Sequence, residues 1–146
     1  MRNWRPSASA AAPAAVKVPR RKYVYDAGAL VAIDKRVGDV LRSHLTRLAQ
    51  GDTIIVPAPV AAQVVRDPRR QAPLMLTLRG CDIVPFGEQD VSPVGSLLAR
   101  AGTSDVTDGL VALTAVKAEA AVVTSDAGDI RHLLRTLGVR LPVLAP

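Results

Sequence analysis

Cysteine is almost missing. Cys81 is the only one in 146 residues, so the chain can form no intrachain disulfide and no thiolate metal cluster, which fits a reducing compartment. Histidine is nearly as scarce. His44 and His132 stand far apart in sequence, leaving little from which to build a histidine zinc site or a Ser-His-Asp triad. Aromatic residues make up 3% of the chain, so there is no platform on which nucleic-acid bases could stack. No apolar run approaches the roughly 18 residues of a membrane span. The Ala/Pro stretch Ala8–Val18 is short and broken by Pro13, and the apolar run behind Arg20-Arg21 is interrupted by Asp26, unlike a twin-arginine export signal.

Acids are missing from the first 22 residues, which hold Arg2, Arg5, Lys17, Arg20, Arg21 and Lys22. The whole chain carries a net charge of +6, yet the remaining bases and acids balance at 13 each. The basic character therefore belongs to the amino-terminal segment. Residues 1–20 read as a disordered basic Ala/Pro-rich tail, or as a product of start-site choice with translation beginning at Val16 or Val18. Residues 21–146 read as one domain. Hydrophobic residues at 49% and charged residues at 22% are ordinary for a globular chain able to bury a core.

Strand-like and helix-like segments alternate. Lys22–Tyr25, Thr53–Val56, Asp82–Val84, Ala121–Thr124 and Leu141–Leu144 read as strands. Between them, helices are expected over Ala27–Lys35, Gly38–Ala49 (apolar through Val40, Leu41, Leu45 and Leu48), Pro59–Arg66, Arg69–Arg79, Gln89–Ala101, Val106–Ala118 and Ala127–Leu137. Leu74, Met75 and Leu78 should face inward, and Pro93 should lie near the first turn of its helix. The nearly all-apolar Val106–Ala118 should be buried, and Ala121–Thr124 has the continuous apolar run of a central parallel strand. The fold class is α/β: a three-layer α/β/α sandwich around a parallel sheet of four to five strands.

Three acidic junctions stand out: Tyr25-Asp26-Ala27-Gly28, Ser104-Asp105-Val106-Thr107-Asp108 and Thr124-Ser125-Asp126-Ala127-Gly128-Asp129. Each places carboxylates where a strand ends or a helix begins. The carboxyl ends of parallel strands are where ligands collect, so five of the chain's 13 acids would share one small volume. Two carboxylates about 4 Å apart repel by roughly 4 kcal/mol at an effective dielectric near 20. Such a group needs a cation or shared protons, and oxygen-only ligands suit Mg²⁺ or Mn²⁺. The pattern points to metal-dependent hydrolysis of phosphate esters. A plainer reading also exists: Asp is a good helix cap, and Asp105 with Asp108, or Asp126 with Asp129, has the spacing of a capping pair. Ser104 and Ser125 stand beside these acids and could have capped without adding charge, which favours the functional reading.

The order of Asp26-Ala-Gly-Ala-Leu-Val, Val56-Pro57-Ala58-Pro59-Val60, Asp108-Gly109-Leu110-Val111-Ala112-Leu113-Thr114-Ala115 and Val123-Thr124-Ser125-Asp126 resembles the PIN-domain nucleases, above all the VapC-type toxins of bacterial toxin–antitoxin pairs. The resemblance covers residues 22–145. It implies a cytoplasmic Mg²⁺- or Mn²⁺-dependent endoribonuclease, with Asp26, Asp108 and Asp126 as catalytic metal ligands and Asp105 as an additional ligand. It also implies an antitoxin that blocks the groove, and a homodimer. Where many relatives carry a glutamate as the second acid, in the helix after the second strand, this chain has Gln63, which loses the charge; Asp105 could partly compensate. Gln63, Asp129, Thr124 and Ser125 are candidates for support around the metal, although Gln63 also reads as a simple polar face residue. Arg66, Arg69 and Arg70, with Arg79 one helix later, are candidate RNA-phosphate contacts, or a solvated charged face. The alternative reading, favoured by Gln63, is a catalytically weak or inactive PIN-like module that binds RNA or a protein. A receiver-like domain is disfavoured because no Lys follows the last core strand.

Overall fold

The computed structural model describes residues 20–146, so the expected tail over 1–20 falls almost wholly outside the described residues. Five strands form one sheet: β1 (Lys22–Tyr25), β2 (Thr53–Pro57), β3 (Asp82–Val84), β4 (Ala121–Val123) and β5 (Val143–Leu144). All pairings are parallel and the order is β3-β2-β1-β4-β5. In register, Val24 lies between Ile55 of β2 and Val122 of β4. The chain moves outward from β1 to β3 on one side, then returns to add β4 and β5 on the other. β1 is therefore the switch point, and the crevice between the carboxyl ends of β1 and β4 is where such sheets bind ligands.

Helices cover both faces. α1 (Ala27–Asp34), α2 (Val40–Ala49), α3 (Ala58–Val64) and α4 (Ala72–Arg79) pack together on one side. α5 (Glu88–Ala101), α6 (Val106–Ala118) and α7 (Ala127–Thr136) pack on the other, with α6 against β1, β2 and β4. The expected layers and five-stranded sheet are present. The core runs through Val24, Tyr25, Leu30, Ile33, Ile54, Val56, Leu97, Val111, Val122, Ile130 and Leu133. Each large aliphatic among them contributes about 1.5–3 kcal/mol through burial. α6 buries Gly109, Leu110, Val111, Ala112 and Ala115, as its apolar sequence requires.

Several boundaries differ from the sequence-based expectation. α2 begins at Val40 rather than Gly38, because Arg36 and Gly38 both take a left-handed turn at φ 52°. Its inward face is also rotated: His44 is buried, whereas Leu45 is 54% exposed. α3 stops at Val64 rather than Arg66, since Val65 turns extended at ψ 123° ahead of Asp67-Pro68. α4 starts at Ala72 rather than Arg69, with Pro73 in its first turn. Leu74 is fully buried, while Met75 and Leu78 are only half-buried. α5 starts one residue early at Glu88, so Pro93 lies within the helix, beyond its first turn. β5 shrinks to Val143–Leu144 after Pro142, which cannot donate to a ladder.

Candidate active site

Asp26 follows the last residue of β1, and its backbone N–H extends the β1–β4 pairing by donating to Val123 O at 3.2 Å. The residue is 6% exposed and caps α1, its Oδ1 accepting from Ala29 N at 2.8 Å. Its Oδ2 accepts a hydrogen bond from Thr124 Oγ1. Thr124 is buried at the end of β4, and its Oγ1 also accepts from Asp126 N at 2.9 Å. One hydroxyl thus ties the acid of β1 to the backbone of the acid beyond β4. Burial pushes the Asp26 carboxyl above its usual range; the bonds from Thr124 and Ala29 oppose that shift, and Asp126 adds to it.

Asp105 caps α6, with its Oδ1 accepting from Asp108 N at 3.0 Å and from Thr107 Oγ1 at 2.8 Å. Asp126 caps α7 through a long 3.5 Å bond from Asp129 N. Asp108 lies in the first turn of α6 and, among the described residues, its carboxylate accepts no hydrogen bond. It is pushed up to about 6 by burial first, then by Asp105, Asp26, Asp129 and Asp126. These acids come from three separate junctions, so the structure brings all five expected carboxylates into one electrostatic neighbourhood. The donor set is all oxygen, which fits a hard divalent cation. Among the described residues, however, no three acidic, histidine or cysteine side chains converge closely enough to grip an ion as they stand.

Ser125 is exposed, and its hydroxyl lies against α1. A Cβ on Gly28 would come within 1.9 Å of Ser125 Oγ and 3.1 Å of its Cβ. Glycine at 28 lets the β4–α7 junction approach the start of α1, and with it Asp126 approach Asp26. Gln63 is exposed on α3, the helix that begins at the carboxyl end of β2.

Arg66 folds back on its own helix end, donating to Ala62 O at 3.0 Å and Val65 O at 2.9 Å. Arg70 pairs with Asp67 at 3.6 Å in full exposure, where such a pair contributes little. Arg79 ends α4, so the length of that helix, about 12 Å at the usual rise, separates it from the turn that carries Arg69 and Arg70. Gln71, which sequence reasoning passed over, organises this turn. Its Oε1 accepts from Arg66 N at 2.7 Å and Asp67 N at 2.9 Å, while its Nε2 donates to Asp34 Oδ2 and Val64 O, each at 3.1 Å. Also missed were Tyr25, His44 and Arg47, which meet in a buried polar knot behind Asp26. A histidine at an inward position of an amphipathic helix was the available signal.

Among the described residues, no helix is long and apolar enough to cross a membrane. No protein-family model and no curated protein sequence matches the chain. Solved structures do match. VapBC2 from Rickettsia felis, crystallised with a DNA fragment from its promoter, superposes with a TM-score of 0.62 at 20% identity, covering 86% of this chain and 98% of that one. FitAcB from Neisseria gonorrhoeae gives 0.55 at 15% identity over 84% and 96%. PAE2754 from Pyrobaculum aerophilum gives 0.55 at 16% identity over 84% and 83%. Together with the parallel five-stranded order, these likenesses mean that the chain has the fold of the VapC-type PIN domains.

Proposed function

We propose that this chain is the toxin of a VapBC-type toxin–antitoxin pair, a cytoplasmic Mg²⁺- or Mn²⁺-dependent endoribonuclease. The observation that carries the reading is Asp108: an unbonded, half-buried carboxylate pushed up to about 6 in the field of four other acids. A fold has no structural use for that repulsion, whereas a cation site does. Asp26, Asp108 and Asp126 would hold the ion, with Asp105 beside them. When bound, Mg²⁺ or Mn²⁺ supplies an acidified water and neutralises charge developing on a phosphodiester.

The chain's own groups set the conditions. Thr124 keeps one Asp26 oxygen oriented and anchors the Asp126 backbone, so the two acids move as a unit. Asp129 and Ser125 flank them. Because Asp108 takes up a proton near pH 6, acidification through that range would weaken the site. Arg69, whose side chain enters no hydrogen bond or ion pair among the described residues, is the arginine most available to take an RNA phosphate. VapBC2 of Rickettsia felis was crystallised on a fragment of its own promoter DNA; by analogy an antitoxin is the expected protein partner here, and a homodimer the expected assembly.

The second reading, an inactive binding module, rests on Gln63 and on the occupation of both Asp26 oxygens by hydrogen bonds. A cleavage assay separates the two. Wild type should cut single-stranded RNA with Mn²⁺ and not with EDTA, and Asp26→Asn should lose at least 100-fold of that activity while keeping its melting temperature within a few degrees. The Asn variant retains an oxygen for the Ala29 cap. RNA binding without metal-dependent cleavage by the wild type would establish the binding-module reading instead.

A further inference from the structure

Helix α2 rests on the domain through the half-buried Leu41 and Leu48 and one deeply buried polar residue, a histidine. Of its residues only Val40 and His44 are buried. His44 is 1% exposed, with its Nδ1 3.0 Å from the Tyr25 hydroxyl. Arg47 Nη1, about one turn further along α2, lies 3.1 Å from the same hydroxyl. A guanidinium can only donate, so the phenolic oxygen accepts from Arg47 and its proton is available to His44 Nδ1. The imidazole is then the neutral tautomer protonated on Nε2. That nitrogen is buried and, among the described residues, has no partner.

Nothing around the ring would welcome a second proton. From α2 itself comes Arg47, whose guanidinium lies 4.7 Å from the Tyr23 ring centre and 5.7 Å from that of Tyr25. β1 offers those two phenols. Arg36, from the turn before α2, and Thr77, from α4, line the cavity that His44 also lines. Cys81, before β3, is neutral because burial pushes its thiol up to about 12. Among the described residues no carboxylate acts on the ring; burial first, and Arg47 second, both disfavour its cation. Protonation would turn Nδ1 from acceptor to donor, leave the phenol accepting from two cations with its own proton deprived of the acceptor it now has, and place a buried cation beside Arg47.

We infer that His44 is a proton-operated latch, whose protonation releases α2 from the sheet and opens the apolar cleft of about 260 Å³ that it forms with α4. This conclusion depends on the fold alone and not on the proposed nuclease reaction. A histidine held below its free value of 6.5 stabilises the closed state above that pH, and the stabilisation is lost as pH falls below it. The open population should grow by up to about tenfold per pH unit, the limit for one proton. The outer wall of the cleft already carries the exposed Leu45 and Leu76.

Amide hydrogen exchange on the full chain at pH 7.5 and 5.5, corrected for intrinsic rates, tests this. Residues 41–49 should lose about tenfold in protection at the lower pH while β1 and β4 hold theirs, and His44→Leu and His44→Gln should show no such pH dependence. Unchanged protection of α2, an equal loss across the whole sheet, or the same pH effect in both variants would each overturn the latch. Should neither variant fold, the imidazole resonances of the wild type decide. The other imidazole, His132, is exposed on α7 and is assigned separately. His44 titrating with the same midpoint as the α2 amide shifts supports the latch, and His44 titrating while α2 stays still refutes it.

Discussion

Replacing Asp108 by Asn should make the metal-free protein more stable, although it removes a residue proposed for catalysis. In the fold the carboxyl is pushed from 3.8 up to about 6. At about 1.4 kcal/mol per pH unit, the full shift would correspond to roughly 3 kcal/mol of destabilisation when the group is ionised. Asp108 is only half-buried and water screens its neighbours, so about 1 kcal/mol is the reasonable expectation. The folded carboxyl keeps its proton to higher pH than the unfolded one. The stability linked to that proton is complete below about pH 4 and gone once pH passes about 6. Urea unfolding of wild type and Asp108→Asn in EDTA should therefore give matching stabilities near pH 4, with a gap that opens between pH 4 and 6 and stays constant to pH 8. Taking the difference between the two proteins cancels the opposite pH trend of His44. Adding Mn²⁺ at about 100 times its dissociation constant should stabilise wild type by about 2.7 kcal/mol and the variant by much less. A variant that is less stable at every pH would mean that the carboxylate has a favourable partner and that the crowding argument is wrong. Equal stabilisation of both proteins by Mn²⁺ would place the ion elsewhere.

Gly28→Ala should destabilise the fold by about 1–2 kcal/mol despite the better helix propensity of alanine, because the new Cβ meets Ser125; in a Ser125→Gly background the same change should become stabilising, and thermal melts of the four proteins would expose any failure of that sign reversal. Gln63→Glu should tighten Mn²⁺ binding in calorimetric titration by restoring a charge near the site, and equal or weaker binding would mean that Gln63 does not face the ion. Glu119→Gly should raise stability by about 0.5–1 kcal/mol, since Glu119 ends α6 in the left-handed region at φ 52°; an unchanged urea midpoint would show that the Glu side chain offsets the strain.

What the sequence made legible was what short range determines. A strand shows in a short run such as Tyr23–Tyr25, all three of which are buried, and α6 shows in its apolar composition, so the layers and the strand-end acids could be placed from the residues alone. The boundaries that moved did so where a distant residue intervened. α3 ends at Val64 partly because Gln71 takes the next free backbone N–H groups. The buried face of α2 is set by Tyr25, whose bond to His44 spans 19 positions; leucine at 45 carries more hydrophobicity than histidine at 44, and hydrophobicity alone chose wrongly. Thr124 reads in the sequence as a candidate support around the metal, but that its partner is Asp26 follows only from the β1–β4 pairing, which brings the two together across 98 positions.

The two readings of the aspartates turn out not to compete. Asp26, Asp105 and Asp126 each cap a helix, as the plain reading required, and each belongs to the shared field around Asp108. Capping is what builds the cluster: an aspartate that caps must sit at the helix amino terminus, and here the amino termini of α1, α6 and α7 bring their acids into one neighbourhood at the carboxyl edge of the sheet. Each helix end carries a partial positive charge that favours an adjacent carboxylate by about 0.3–1 kcal/mol. Three such ends offset part of the mutual repulsion without cancelling it. Asp108 marks the remainder: it lies in the first turn of α6, its carboxylate accepts no hydrogen bond among the described residues, and its carboxyl is pushed up to about 6. A cation at the cluster would relieve that residual charge, so the same geometry that stabilises the helices leaves the site short of positive charge.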